Sequence, residues 1–176
     1  MHKVLLVIIN VIFGSLVLLS YYNGVTKNPE LGLKLWGGVP KILHTFIISF
    51  MFIGALGYFF FTAHLLINVE SSYIFFNRFS YWYLNFIYLM ILIPSALWID
   101  LTFLYMQTST TMNWIYVVSC LYCVALFSVI LFLFIVDTNV EKNYWLYFPA
   151  VLGSLAFTFH TVFLDGILWT FFFNKN

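Results

Sequence analysis

His160 and Asp165 are the residues best placed to do chemistry, because they interrupt an apolar run long enough to cross a bilayer, Leu146 to Phe173. An imidazole and a carboxylate are costly to hold in hydrocarbon, and such groups normally face a cavity or a partner. The pair suits proton transfer or the anchoring of a ligand's polar end. At 3.6 residues per turn, however, they stand ~140° apart around an α-helix. Thr161, one turn before Asp165, offers its carboxyl a hydroxyl, the kind of partner that a buried polar group needs. His44 and Asp100 interrupt two other apolar runs.

Five such runs, at about residues 4–22, 42–67, 81–106, 113–136 and 149–173, have the length that reads as transmembrane helix. The expected fold is all-α, an integral membrane bundle of five transmembrane helices forming one domain over residues 1–176. The last helix is expected to start at Pro149, since proline suits the first helical turn, where its missing N–H costs nothing. Composition agrees: 64% of residues are hydrophobic and 7% charged, against about 25% charged in soluble domains. A net charge of +1 gives no electrostatic footprint for nucleic acid. Trp82, Tyr83, Trp114, Tyr144, Trp145 and Trp169 fall near helix ends, where an aromatic belt belongs. Cys120 and Cys123 share a helix face inside an apolar run and read as small packing groups.

The longest polar stretch, residues 23–41, carries Lys27, Lys34 and Lys41 against Glu30 and is punctuated by Pro29, Gly37, Gly38 and Pro40. It is long enough to fold over the mouth of a bundle. An odd number of spans puts Lys27, Lys34, Lys41 and Lys175 on one side and Lys3, Arg78 and Lys142 on the other. The positive-inside rule then places this loop and the C-terminus in the cytosol or its equivalent; which membrane is not encoded.

Depth along the helices puts His44, Asp100 and Asp165 in the half of the membrane under that loop, with His160 just below. The functional reading is a pocket with a polar base opening toward the loop; the alternative is that the carboxylates hold helices together. Pro94 breaks a backbone bond where a cavity or neighbour must satisfy the freed carbonyl, and Gly54, Gly57, Gly153 and Ala156 allow close helix approach. His64 lies near the opposite face and is given no role. Haem ligation by His44 and His160 would need two histidines at one depth. No histidine has a second metal ligand one turn away, so no metal site is expected. Ser95 and Ser154 sit in no nucleophile motif, and catalytic residues are not assigned.

Trp36-Gly37-Gly38-Val39-Pro40 followed by Gly54 to Tyr58, Tyr88 with Trp98, and Leu146 to Pro149 with Leu155 to Thr158 resemble the tryptophan-rich sensory protein / translocator protein (peripheral benzodiazepine receptor-like) family. The loop signature of that family is reduced here to Asn28-Pro29 and Pro40, and Ser95 stands where the family has asparagine. The resemblance implies five helices, often a homodimer, and a pocket for a tetrapyrrole, sterol or similar flat ligand closed by the first loop. Position by position it would be lined or capped by Trp36, Pro40, Tyr58, Trp98, Ala156 and Phe157.

The function expected is therefore binding of a small apolar ligand, tetrapyrrole-, sterol- or lipid-like, within the bilayer, by His44, Asp100, His160, Thr161 and Asp165 together with that resemblance-implied set. The rival class is a structural or accessory subunit of a larger membrane complex, suggested by 22 phenylalanines and little soluble mass. An intramembrane enzyme or proton-coupled carrier stands third, since no repeat or paired broken helices mark a carrier.

Overall fold

A computed structural model describes residues 2–27, 29–138 and 144–173. It has the all-α architecture expected: five helices long and apolar enough to cross a bilayer. The first is α1 (His2–Lys27), followed by a short α2 (Pro29–Lys34) and the second span α3 (Lys41–Ile67). A small antiparallel hairpin, β1 (Ile74–Phe75) and β2 (Phe79–Ser80), leads into α4 (Trp82–Thr108), which a tight turn joins to α5 (Thr111–Asp137). The fifth span is composite: α6 (Tyr144–Phe159), a π-helical segment His160–Trp169, and α7 (Thr170–Phe173). Asn28, Lys142 and Lys175, which entered the loop motif and the charge count, lie outside the described residues.

Two boundaries differ from the hydropathy reading. Helix α1 continues through Tyr22 to Lys27 and α2 follows, so most of the 23–41 stretch is helical. Near an interface a continuing helix still satisfies its own N–H and C=O groups, which polar side chains do not prevent. The fifth span is already helical at Tyr144, so Pro149 lies inside it. Within so early a turn the proline removes a single backbone bond, which the packing of α6 tolerates.

Helix α4 packs between α1 and α5, and α6 packs between α5 and α3. Side chains link α3 to α1: the Tyr58 hydroxyl donates to Asn10 Oδ1, and Lys3 Nζ donates to the Leu66 carbonyl at 2.7 Å. The closest helix contact is between α3 and α6. A Cβ built on Gly57 would stand 2.5 Å from the Gly153 Cα, so two backbones touch where neither residue has a side chain. One apolar core fills the hairpin end around Phe61, Leu65, Tyr81 and Tyr88. A second fills the loop end around Val117, Leu121, Trp169 and Phe173. Between them runs a polar seam, in which Ser128 Oγ and Thr161 Oγ1 lie 2.7 Å apart and Thr158 Oγ1 donates to the Ser128 carbonyl at 3.1 Å.

The hairpin end is locked from α5. Asp137 Oδ2 accepts the Phe76 N–H at 2.9 Å, and the Asp137 carbonyl accepts the Tyr73 hydroxyl at 2.7 Å. Burial, and secondarily the Asp137 charge, push the Tyr73 phenol above its ordinary value. Phe76 and Asn77 both adopt φ of 53°, a conformation a bulky side chain holds only when its surroundings fix it. His64, expected in the interface, is fully buried instead. Its Nδ1 faces the Asn68 amide at 3.2 Å, so Nε2 carries the proton toward the Thr138 hydroxyl at 2.9 Å.

Replacing Gly153 by alanine forces α3 and α6 apart and is expected to destabilise the bundle by about 1–3 kcal/mol, the usual effect of overpacking. Gly14→Ala, where an added Cβ meets nothing within 4 Å, is expected to raise stability by up to about 1 kcal/mol, alanine being the better helix former. Thermal unfolding of the two variants in detergent, followed by tryptophan fluorescence, checks the difference.

Candidate functional site

The fifth span decides the site's geometry. From His160 to Trp169 its backbone winds with the wider π pitch, in which hydrogen bonds close over five residues rather than four. Residues five apart therefore stack along one face. His160 Nε2 and Asp165 Oδ2 consequently lie 3.4 Å apart, correcting the separation of ~140° that α-helical geometry gives. Such segments are rare, usually a single turn, and concentrate at functional sites. Seams on either side hold this one in place. Thr161 is bonded to Ser128 of α5 and to the Thr158 carbonyl, not to Asp165 as the sequence suggested. Gly166 packs on the Tyr122 ring, where an added Cβ would have its nearest atom, the Thr161 carbonyl oxygen, at 3.2 Å.

Around the pair, Tyr21 of α1 comes within electrostatic reach of Asp165 and stacks on Trp98 of α4 with centroids 5.9 Å apart. Trp98 meets Trp169 edge-on at 5.3 Å. His160 keeps 12% of its side-chain surface accessible and Asp165 keeps 33%, so the carboxylate is the open end of the pair. Among the described residues two buried nitrogens at this end have no hydrogen-bond partner, Trp98 Nε1 and His160 Nδ1. With His160 Nε2 against a carboxylate, that nitrogen carries the proton and Nδ1 is left as an acceptor, while Trp98 offers only a donor. The site thus lacks one donor and one acceptor.

The polar loop covers this end of the bundle. Trp169 Nε1 donates to the Leu35 carbonyl at 2.8 Å. Gly37, at φ 51°, sits so close to Phe173 that a Cβ there would be 2.7 Å from its ring. Trp36 stacks on His44 at 3.9 Å, and His44 Nε2 donates to the Val39 carbonyl at 2.9 Å. His44 is therefore a clamp on the loop rather than a neighbour of His160. Pro40 caps α3 from an exposed position.

The remaining expected residues divide by place. Asp100 is exposed on the outer face of α4 and, among the described residues, makes no hydrogen bond or ion pair. Its direction around α4 carries it to the outer face rather than into the bundle. Tyr58 and Phe157 pack against each other and against Phe61, and Ala156 is half-buried; these three lie toward the middle of the bundle. Trp169 and Trp114 turn inward and stack on Phe173, whereas Trp82 and Trp145 point outward as belt residues do. Sequence reasoning did not find Tyr21, or Asn85, whose two amide atoms are buried without partners. The only signal for either was a polar group inside an apolar run.

Comparison with protein-family models, curated proteins and solved structures gives no match to this chain.

Converting Asp165 to histidine would place two imidazoles five residues apart. In the π register they can share a zinc or cobalt ion, and at a hundredfold excess over Kd the metal should add about 2.7 kcal/mol to stability. Phe163→His, at the exposed i+3 position that an ordinary α-helix brings onto the same face, should show no such gain. Thermal midpoints with and without metal check this, and the opposite pattern would mean that the segment is α-helical.

Proposed function

We propose that this is a polytopic membrane protein that binds a small, mostly apolar ligand at the loop end of the bundle, with His160 and Asp165 as its polar fixtures. The observation that carries the reading is the pair itself, held side by side by the π segment next to two buried nitrogens without partners. An unpaired buried donor or acceptor is unfavourable, and a ligand group that pairs it recovers that free energy as affinity. A donor and an acceptor are both lacking, which suits a hydroxyl or carboxyl group on an otherwise apolar body. The aromatic walls formed by Tyr21, Trp98 and Trp169 suit a flat ring system.

Sterols and tetrapyrroles meet both conditions, and they are the ligand class implied by the resemblance to the tryptophan-rich sensory protein / translocator family. In this reading the stretch from Leu35 to Pro40 is a cover, tied down through Trp169 and His44, and Trp36 and Pro40 belong to the cover. The lysines of the 23–41 stretch put the cover on the cytosolic side. Binding is the role favoured; Ser154 and Ser95 donate to the Val151 and Ile91 carbonyls of their own helices.

Protoporphyrin IX and cholesterol serve as tetrapyrrole and sterol probes. Binding of either, read by quenching of tryptophan emission or by native mass spectrometry, is expected to weaken by about tenfold in Asp165→Asn and in Trp98→Phe, the loss of roughly one hydrogen bond. Asp100→Asn should leave it unchanged. Equal affinity in all three variants would end this reading.

A further inference from the structure

We infer that the outer face of α4 and α5 seats a transmembrane helix of a different membrane protein, one that carries a lysine or arginine at the depth of Asp100. This inference does not rest on the ligand reading. On α4 the residues Ile93, Leu97, Asp100 and Leu104 recur at i, i+4, i+7 and i+11 and all face outward. They form one stripe in which Asp100 is the single charge. Beside the stripe, Leu97 and Leu101 with Tyr116 and Cys120 of α5 line a groove of about 460 Å³.

The rise of the helix puts Asp100 inside the hydrocarbon rather than at its edge. About 12 Å of helix separates it from Thr108 at the end of α4. It lies ~7 Å deeper than Tyr105, whose ring packs on Trp114 at the loop end. Nor does the side chain reach back to the near interface. Cα–Cβ bonds in an α-helix tilt toward its N-terminus. For a residue in the C-terminal half of α4 that direction is toward the bilayer centre, and aspartate has no long stem with which to turn around. A carboxylate held there facing lipid is unfavourable, and intramembrane carboxylates are found paired.

Among the described residues the chain does not supply the pair. The nearest cation by depth is Lys27, one turn beyond Gly24, which packs on Ile99 and Phe103. Lys27 makes no ion pair with Asp100. A second copy does not supply it either, because the lysines within the five spans are Lys3, Lys27 and Lys41, all in terminal turns. A cation on a foreign helix, laid along the groove so that its charge meets Asp100, satisfies the charge and the shape together.

The test uses the full chain in its native membrane, with a photo-crosslinking residue at Leu97 and, as a control, at Leu152 on the outer face of α6. The Leu97 site is expected to yield an adduct with a membrane-spanning peptide that has a lysine or arginine within one turn of the linked residue. Its yield should fall about tenfold in Asp100→Asn and be retained in Asp100→Glu, as for loss of one partner of a desolvated charge pair. Asp165→Asn should not alter it, which separates this inference from the ligand reading. Unfolding temperatures matching the parent chain would show that each variant is folded. Adducts with lipid alone, with a second copy, or with a span lacking a cation would overturn the inference. So would a yield indifferent to Asp100→Asn, or one lowered as much by Lys27→Ala, which would make the pair internal.

Discussion

The loop end of this protein depends on how one stretch of helix is wound. From His160 to Trp169 the backbone closes its hydrogen bonds over five residues, which changes the direction in which each side chain leaves the axis while barely changing its depth. Asp165 comes beside His160, Trp169 turns inward against Trp98, and Phe173 then falls under Gly37. Wound as an ordinary α-helix, the same residues would point elsewhere, and the loop would lose the Trp169 indole that holds the Leu35 carbonyl. The site and its cover thus follow from one local choice of pitch.

That pitch needs support, because a π-helix is less favourable than an α-helix of equal length. Support comes from packing on both sides. Thr158 bonds into α5 just before the segment begins and Thr161 just inside it, and Tyr122 of α5 covers Gly166 further along. Upstream, the backbone contact of Gly57 with Gly153 fixes α6 against α3 so closely that neither helix can slide. The strain of the wide turn is balanced by seams whose residues are too small or too polar to belong to an ordinary apolar interface.

Hydropathy made the architecture legible, since water, lipid and backbone hydrogen bonding leave few alternatives to a helix for a long apolar run. For the same reason it gives a position along each helix for His160, Asp165 and Asp100. It did not give direction around the helix, because these helices are apolar on every side and carry no stripe to orient them. Depth therefore groups Asp100 with Asp165 although Asp100 faces outward, and Trp169, near a helix end, is buried rather than at a belt position. The His160–Asp165 contact was hidden more deeply: nothing in ten mostly apolar residues announces a change of helical pitch, which depends on packing against α5. His44 lies in the first turn of α3 beneath the loop, and its attachment to Val39 and Trp36 is a tertiary turn that periodicity does not describe.

The two carboxylates of the loop-end half show why direction matters more than depth. Asp165 has a histidine beside it, a tyrosine within electrostatic reach and a covering loop, so its surroundings are made by this chain. Asp100 has none of these, although it lies in the same half of the bundle and the chain could have turned it inward by shifting it one position along α4. One position earlier, Ile99 is fully buried against α1, where a carboxylate would displace a core side chain. Exposure of Asp100 is thus not forced by its depth; it is a property of the outer face, alongside a groove made of neighbouring apolar residues. Internal contacts account for the first carboxylate, whereas among the described residues the second has no hydrogen bond or ion pair to account for it.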